Sequence, residues 1–233
     1  CIAWGGFNVT EGGGDSAEVA LELMPGNKIR KYDTWHAMGQ GATTGSLVVT
    51  LEALKEMHLT PEDIELIQND TKTCPDTGMA GASRSLYMDG NATIIAANKL
   101  LAAMRKEDGT LRTYDEMKAE GIETKYLGRY ETNTTPGLCR LDPNTGIGDP
   151  TPAFTYCLNL AEVEVDTKTG KTTVLKFTCV DFVGRIGNID AVNGQAYSGI
   201  MHGIGFALKE DYADVKKHAN MFGAGTSLSL IHI

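Results

Sequence analysis

From Ala17 to Leu23 apolar and polar side chains alternate, the period-two pattern of a strand that buries one face. Pro25-Gly26-Asn27-Lys28 then supplies turn chemistry and Ile29 to Asp33 resumes the extended pattern, so the segment predicts a hairpin. After the loop Trp35-His36-Ala37-Met38-Gly39-Gln40-Gly41 the period changes: Leu47, Val48, Leu51, Leu54 and Met57 recur at helical spacing. Thr60-Pro61-Glu62-Asp63 reads as a short turn with Pro at a first helical position, and Ile64 to Gln68 as a compact strand. A second loop, Asp70 to Ser83, feeds a long alanine-rich helix marked by Ile94, Ile95, Leu100, Leu101 and Met104. Thr113 and Glu116 have capping-box spacing and Gly121 is a stop, which predicts a short helix before a Thr/Asn/Pro/Gly-rich stretch from Thr132 to Pro152. Phe154 to Val165 and Thr172 to Asp181 flank the turn Asp166 to Lys171 as a second hairpin, and Ile189 to Leu208 is helical with Ile200, Ile204 and Leu208 on one face. The pattern predicts an α+β fold of two similar lobes, each a twisted, mainly antiparallel sheet with a long helix packed on it. The first lobe spans residues 1–131 and the second, incomplete, residues 132–225.

A chain of 233 residues with 42% hydrophobic content has enough apolar material for a sizeable core, which argues against disorder. Lys plus Arg number 21 against 30 Asp plus Glu, a formal charge of −9, and no basic stripe of the kind a phosphate backbone requires is present, so nucleic acid is set aside. No apolar run is long enough for a spanning helix and no signal peptide opens the chain; no membrane association and a soluble, cytoplasmic protein are the expectation. The five cysteines lie too far apart for a CxxC knuckle, a compact disulfide framework or an iron–sulfur ligand set within the chain. The glycosylation triplets at Asn8 and Asn91 are read as chance. The chain opens on Cys1 without an initiator Met and closes on Thr226 to Ile233 without a cap or stop signal, so it reads as a piece of a longer polypeptide with 226–233 as a separate tail.

The chemistry lies in the two glycine loops. A helix start presents unpaired backbone N–H groups and the positive end of the helix dipole, so a glycine-rich loop running into one is a physical site for phosphate or another anion. Gly39 and Gly41 let backbone approach a ligand without a Cβ, and Gln40 between them both donates and accepts. Taken alone, Gly-Gln-Gly is equally the signature of a tight turn into a helix. His36 and His202 are far apart and lack metal-ligand spacing, so neither is assigned to a metal. Ser83 lacks the second glycine of a hydrolase nucleophile elbow.

Four ordered blocks carry a resemblance: Trp35 to Gly41; Asp70-Thr71 with Pro75; Gly78-Met79-Ala80-Gly81-Ala82-Ser83-Arg84-Ser85; and Asp181 with Gly194-Gln195-Ala196-Tyr197 and Gly203-Ile204-Gly205. Together they resemble the molybdenum-binding region of the xanthine oxidase family of molybdenum hydroxylases. From Ile2 to about Gly225 the wording is most similar to the bacterial aldehyde oxidoreductases, including Lys31 to His36 and Asp211 to His218. The resemblance implies molybdenum held by the dithiolene of a pterin dinucleotide, molybdopterin cytosine dinucleotide, with no protein side chain ligating the metal. It implies cofactor-binding roles for Trp35, His36, Ala37, Met38, Gly39, Gln40, Gly41, Gly78, Met79, Ala80, Gly81, Ala82, Ser83 and Gln195, with Gln40 beside an oxo ligand. The implied reaction oxidises an aldehyde to a carboxylic acid with water as oxygen source. Electrons leave through [2Fe-2S] clusters in an N-terminal part to an acceptor protein or cofactor, in a homodimer. The family's general-base glutamate matches no residue before Gly225, so no catalytic residue is expected here and the isolated piece is expected to be inactive. Three readings stand side by side: this one, with a purine or other N-heterocycle as the alternative substrate; a non-catalytic phosphate- or nucleotide-binding module; and an interaction domain whose glycines serve turns only.

Overall fold

A computed structural model describes residues 2–3, 15–68, 70–78, 80–81, 83–132, 142, 144–148 and 155–210. Backbone contacts divide the chain into two compact units, one drawn from residues 4–154 and the other from 1–3 with 155–233. Met79, Ala82, the triplet at Asn8 and the tail 226–233 lie outside the described residues.

In the larger unit, β2 (Ser16–Met24) and β3 (Lys28–Asp33) form the expected hairpin, closed by a short 3₁₀ turn over Pro25–Asn27. The turn needs Gly26 at φ 75° and Asn27 at φ 60°, two residue types that tolerate the left-handed region. Ala17, Val19, Leu21 and Leu23 are buried on one side of β2, as their alternation requires. Helix α1 (Ala42–Ala53) connects β3 to β4 (Ile64–Gln68), which pairs parallel to β3. A fourth strand, β5 (Lys125–Glu131), pairs antiparallel to β2 and completes the order β4-β3-β2-β5. The long α2 (Arg84–Met104) packs on β2, β5 and α1. Leu21, Leu23, Ile29, Leu54, Leu100, Met104 and Met117 form the main core. Helix α3 (Tyr114–Ala119) starts from the predicted capping box, Thr113 Oγ1 accepting from Glu116 N at 3.3 Å, and Gly121 at φ 69° follows its end.

Two details depart from the periodicity. The helical pattern extends to Met57, yet α1 ends at Ala53, Leu54 turns into the core, and Met57 sits on a 3₁₀ turn. The fully inward positions of α1 are Ala42, Ser46 and Thr50, while Leu47, Val48 and Leu51 are half-buried. That face is polar because it meets a buried carboxylate: Ser46 Oγ donates to Asp33 Oδ2 at 2.6 Å. On α2, Leu100, Leu101 and Met104 are buried but Ile94 faces outward.

In the smaller unit, β6 (Thr155–Val165) and β7 (Thr172–Phe182) form an antiparallel hairpin around Asp166 to Lys171, with the two-residue β1 (Ile2–Ala3) on the outer edge of β6. Helix α4 (Ile189–Leu208) starts at Asn188, whose side chain accepts from Ala191 N at 3.0 Å. No residue of α4 is fully buried.

Candidate functional site

The two glycine loops of the larger unit leave neighbouring strand ends. The first follows β3 and enters α1; the second follows β4 and enters α2. Since β3 and β4 are parallel and adjacent, both loops emerge at the same end of the sheet. They touch through their threonines: the Thr34 and Thr77 hydroxyls bond each other, Thr34 N donates to Thr77 Oγ1 at 3.2 Å, and Thr77 N donates to Thr34 Oγ1 at 3.3 Å. The junction borders a tight crevice too narrow for a water molecule, lined by Trp35, Gly78, Ala80, Arg84, Ser85 and Asp89.

Both helices start without a side-chain cap. The N-caps Gly41 (φ 82°) and Ser83 (φ 57°) are left-handed and neither supplies a capping side chain. First-turn N–H groups that a Ser or Asp cap usually satisfies are thus left to other acceptors. Gly78 at φ 70° lies against the Arg84 guanidinium: a Cβ there would come within 2.8 Å of Arg84 Nη2. The second loop therefore needs glycine twice over, for its dihedral and for the close approach.

The predicted site residues separate by position. Trp35, Gly78 and Ala80 line the crevice, and Ser83 and Gly81 stand at the start of α2, with Gly81 O accepting from Arg84 N at 3.1 Å. His36, Ala37, Met38 and Gly39 form the exposed arch of the first loop. Gln40 closes that arch: its Nε2 donates to His36 O at 2.8 Å and its Oε1 accepts from Met38 N. Gln195 lies on α4 in the smaller unit. There it lines a cleft of about 330 Å³ with Asn159, Phe177, Cys179 and Asp181 of the hairpin. In that cleft Cys179 Sγ donates to Asp181 Oδ2 at 3.3 Å, and burial, followed by this bond, pushes the Cys179 thiol above its ordinary range.

The residues beneath the crevice were not singled out from sequence. Arg84 makes a bidentate pair with Asp15, Nε to Oδ2 at 2.6 Å and Nη2 to Oδ1 at 2.8 Å, and donates to the carbonyls of Thr77 and Ser16. Lys31, fully buried, lies 3.0 Å from Asp89 Oδ2 and 3.3 Å from Asp33 Oδ2, with its ammonium 5.5 Å from the Trp35 ring centroid. Asp33 also accepts from Ser46 Oγ, Gln68 Nε2 at 2.7 Å and Trp35 N at 3.3 Å. A signal was present: in the alternation that buries Ile29, positions 31 and 33 point inward, and both carry charge. Among the described residues no cluster of three or more His, Cys, Asp or Glu is arranged to hold a metal ion. No helix of the described residues is long and apolar enough to cross a membrane.

Two glycine loops feeding uncapped helix starts at one sheet end suit an anionic cofactor, and the comparisons with known proteins name it. The chain belongs to the molybdopterin cofactor-binding domain family, whose model matches residues 1–226. It is 40% identical over 213 residues to the aldehyde oxidoreductase of Megalodesulfovibrio gigas, covering 91% of this chain and 23% of that protein. The crystal structure of the aldehyde oxidoreductase from Desulfovibrio desulfuricans superposes with a TM-score of 0.83 at 41% identity, over 92% of this chain and 23% of that one. A probable hypoxanthine oxidase of Escherichia coli is 29% identical over 188 residues, 76% of this chain and 20% of that protein. The resemblance to molybdenum hydroxylases carried by the loop sequences is thus borne out, as is the α+β fold. The chain spans about a quarter of the length of these relatives.

Proposed function

We propose that this chain is the cofactor-gripping part of a molybdenum-dependent aldehyde oxidoreductase that binds molybdopterin cytosine dinucleotide and converts aldehydes to carboxylic acids with water as oxygen source. The observation that carries this reading is the Thr34–Thr77 junction, which sets two glycine loops side by side while α1 and α2 begin without side-chain caps. The residues present fit such a cofactor. Uncapped N–H groups at the starts of α1 and α2 suit phosphate oxygens, and the Cβ-free backbone at Gly39, with no other atom within 4 Å of where a Cβ would stand, admits close approach.

On this reading the segments 35–41 and 78–83, Met79 and Ala82 included, bind through backbone amides, and Gln195 is a further cofactor-binding residue. Gln40 first shapes its own loop, because both ends of its amide are engaged with the arch. With the arch held, the N–H groups at the start of α1 keep a fixed direction and donate without reorganising when the ligand arrives. The bound molybdenum centre supplies the two-electron oxidation and the activated water oxygen. Lys31, Asp33 and Arg84 lie under the loops and hold them in register. A general-base glutamate, [2Fe-2S] clusters, the electron acceptor, a homodimer and a cytoplasmic location belong to the same proposal for the whole enzyme. The likeness to an aldehyde oxidoreductase at 40% identity supports an aldehyde over a purine or other N-heterocycle as substrate.

The test is chemical analysis of the purified enzyme that carries this chain. The expected result is molybdenum and pterin in equal amounts, a cytosine nucleotide released by acid hydrolysis, and turnover of aldehydes. A phosphate ester without metal would move the chain to a nucleotide-binding module, and turnover of purines alone would overturn the substrate assignment.

A further inference from the structure

The second glycine loop is tied down by the first residue of the helix it feeds. Arg84 opens α2, and its buried guanidinium reaches back seven positions to donate from Nη1 to Thr77 O at 2.7 Å. The same group holds Asp15 through Nε at 2.6 Å and Nη2 at 2.8 Å, and Ser16 O through Nη2 at 2.9 Å, so it joins the loop to the start of β2. A Cβ on residue 78 would stand 2.8 to 3.0 Å from Nη2, Nη1 and Cζ of Arg84. The space that Gly78 leaves open is therefore filled from within the protein, and it belongs to the support of the loop. A trans peptide points its C=O and N–H in opposite directions. With Thr77 O fixed on Arg84, Gly78 N–H turns to the exposed side of the loop, where it donates to Asp76 Oδ1 at 2.7 Å. Thr77 passes the constraint on, since its hydroxyl and its amide both engage Thr34 at the root of the first loop.

We propose, resting on the molybdopterin reading above, that Arg84 is a positioning residue for both cofactor-binding loops: it holds the second directly and the first through the Thr77–Thr34 junction. Replacing a buried ion pair by packed apolar side chains is often neutral or stabilising, so the Arg84–Asp15 pair is explained by the geometry it imposes and not by the energy it adds. Arginine carries its N–H donors in a rigid planar fork, which lets one side chain serve a carboxylate and two carbonyls on separate segments at once. A lysine ammonium keeps the charge and loses the fork. The direction of the amides in the first loop thus depends on a side chain that opens the second helix.

The test compares the native holoenzyme with Arg84→Lys, Thr77→Val and the double variant. It reads backbone amide exchange by mass spectrometry, together with the rate at which molybdenum and pterin are released. In Arg84→Lys, exchange is expected to rise about tenfold or more in both 76–85 and 34–41, while 94–104 in α2 keeps its protection. Cofactor release should quicken by about the same factor. Thr77→Val should raise exchange in 34–41 and leave 76–85 near native, because Arg84 still holds the second loop. Both changes act on the first loop through one junction, so the double variant should match Arg84→Lys in 34–41, whereas independent effects would multiply. A residue that only adds stability would show its loss in 94–104 and would not single out 34–41. Native exchange in 34–41 of Arg84→Lys overturns the proposal, and so does a double variant whose effects multiply. Should Arg84→Lys not fold, Asp15→Asn weakens the same fork from the other side, and native exchange in 34–41 there overturns the proposal equally. Amide exchange is read whichever ligand the loops hold. An enzyme purified without molybdopterin therefore marks the failure of the underlying function, and the exchange pattern still decides the role of Arg84.

Discussion

Gln40 spends both ends of its amide on the loop that carries it, so its first effect is on shape: the arch from His36 to Met38 is held as a fixed curve before any ligand arrives. In the whole enzyme Gln40→Ala should lower turnover by about tenfold or more while thermal stability stays within roughly 0.5 kcal/mol of native, since the residue lies in an exposed loop outside the core. Equal turnover in steady-state assays would remove its role. Asp89 gives a second residue-scale prediction. Its folded pKa of about 6 lies above the ordinary carboxyl value of 3.8, with burial the largest cause. For a carboxyl raised on folding, the protonated form is favoured by the native state. Its stabilising contribution is therefore complete below about 3.8 and is lost as pH rises through about 6. In cofactor-free protein the stability of Asp89→Asn relative to native should increase from pH 4 to pH 7, by on the order of 3 kcal/mol for a shift of about two units. Denaturant unfolding at the two pH values reads this directly, and a difference independent of pH would contradict the assignment.

At the scale of elements, legibility followed the inward-facing residues. The first hairpin was readable because Ala17, Val19, Leu21 and Leu23 alternate and Pro25-Gly26-Asn27 turns. The second hairpin was readable from its turn residues Asp166 to Lys171, and α4 from the helical spacing of Ile200, Ile204 and Leu208. Strand β5 was missed because its inward positions are Tyr126, Gly128 and Tyr130 among charged neighbours, and the one fully buried residue has no side chain. The structure gives the reason for that glycine. Helix α2 lies so close that a Cβ on Gly128 would fall 2.0 Å from Ala92 O and 2.6 Å from Ala96 N. Neither backbone atom has freedom to move away, so Gly128→Ala must push α2 off the sheet. It should cost about 1–3 kcal/mol or more in urea unfolding. Native stability in Gly128→Ala would show that α2 does not sit where it is described.

The extent of α1 was misjudged for a related reason. Its inner face carries Ser46, which donates to Asp33, and Thr50, which donates to the Ser46 carbonyl, so the apolar residues that set the periodicity lie on its flanks. The site shows the same division. Glycine loops before helices were legible because glycine and helix start are local signals. The buried network was not, because Lys31 and Asp89 are 58 positions apart and inward charges break the rule by which a core is read.

Across the whole molecule, two units carry different burdens. The larger has a closed core and delivers two loops to one end of its sheet. The smaller pairs a long hairpin with α4 and exposes broad apolar side chains, Leu158, Val180 and Phe182 among them, each at least 60% accessible. Exposed apolar surface on that scale marks a face that meets something else. The central claim is that backbone amides at the starts of α1 and α2 serve one cofactor, and an experimental structure of the loaded enzyme tests it most directly. Cofactor oxygens are expected within hydrogen-bond reach, about 2.7–3.2 Å, of N–H groups in both 39–43 and 78–85. A cofactor that touches only one of these segments, or neither, would contradict it.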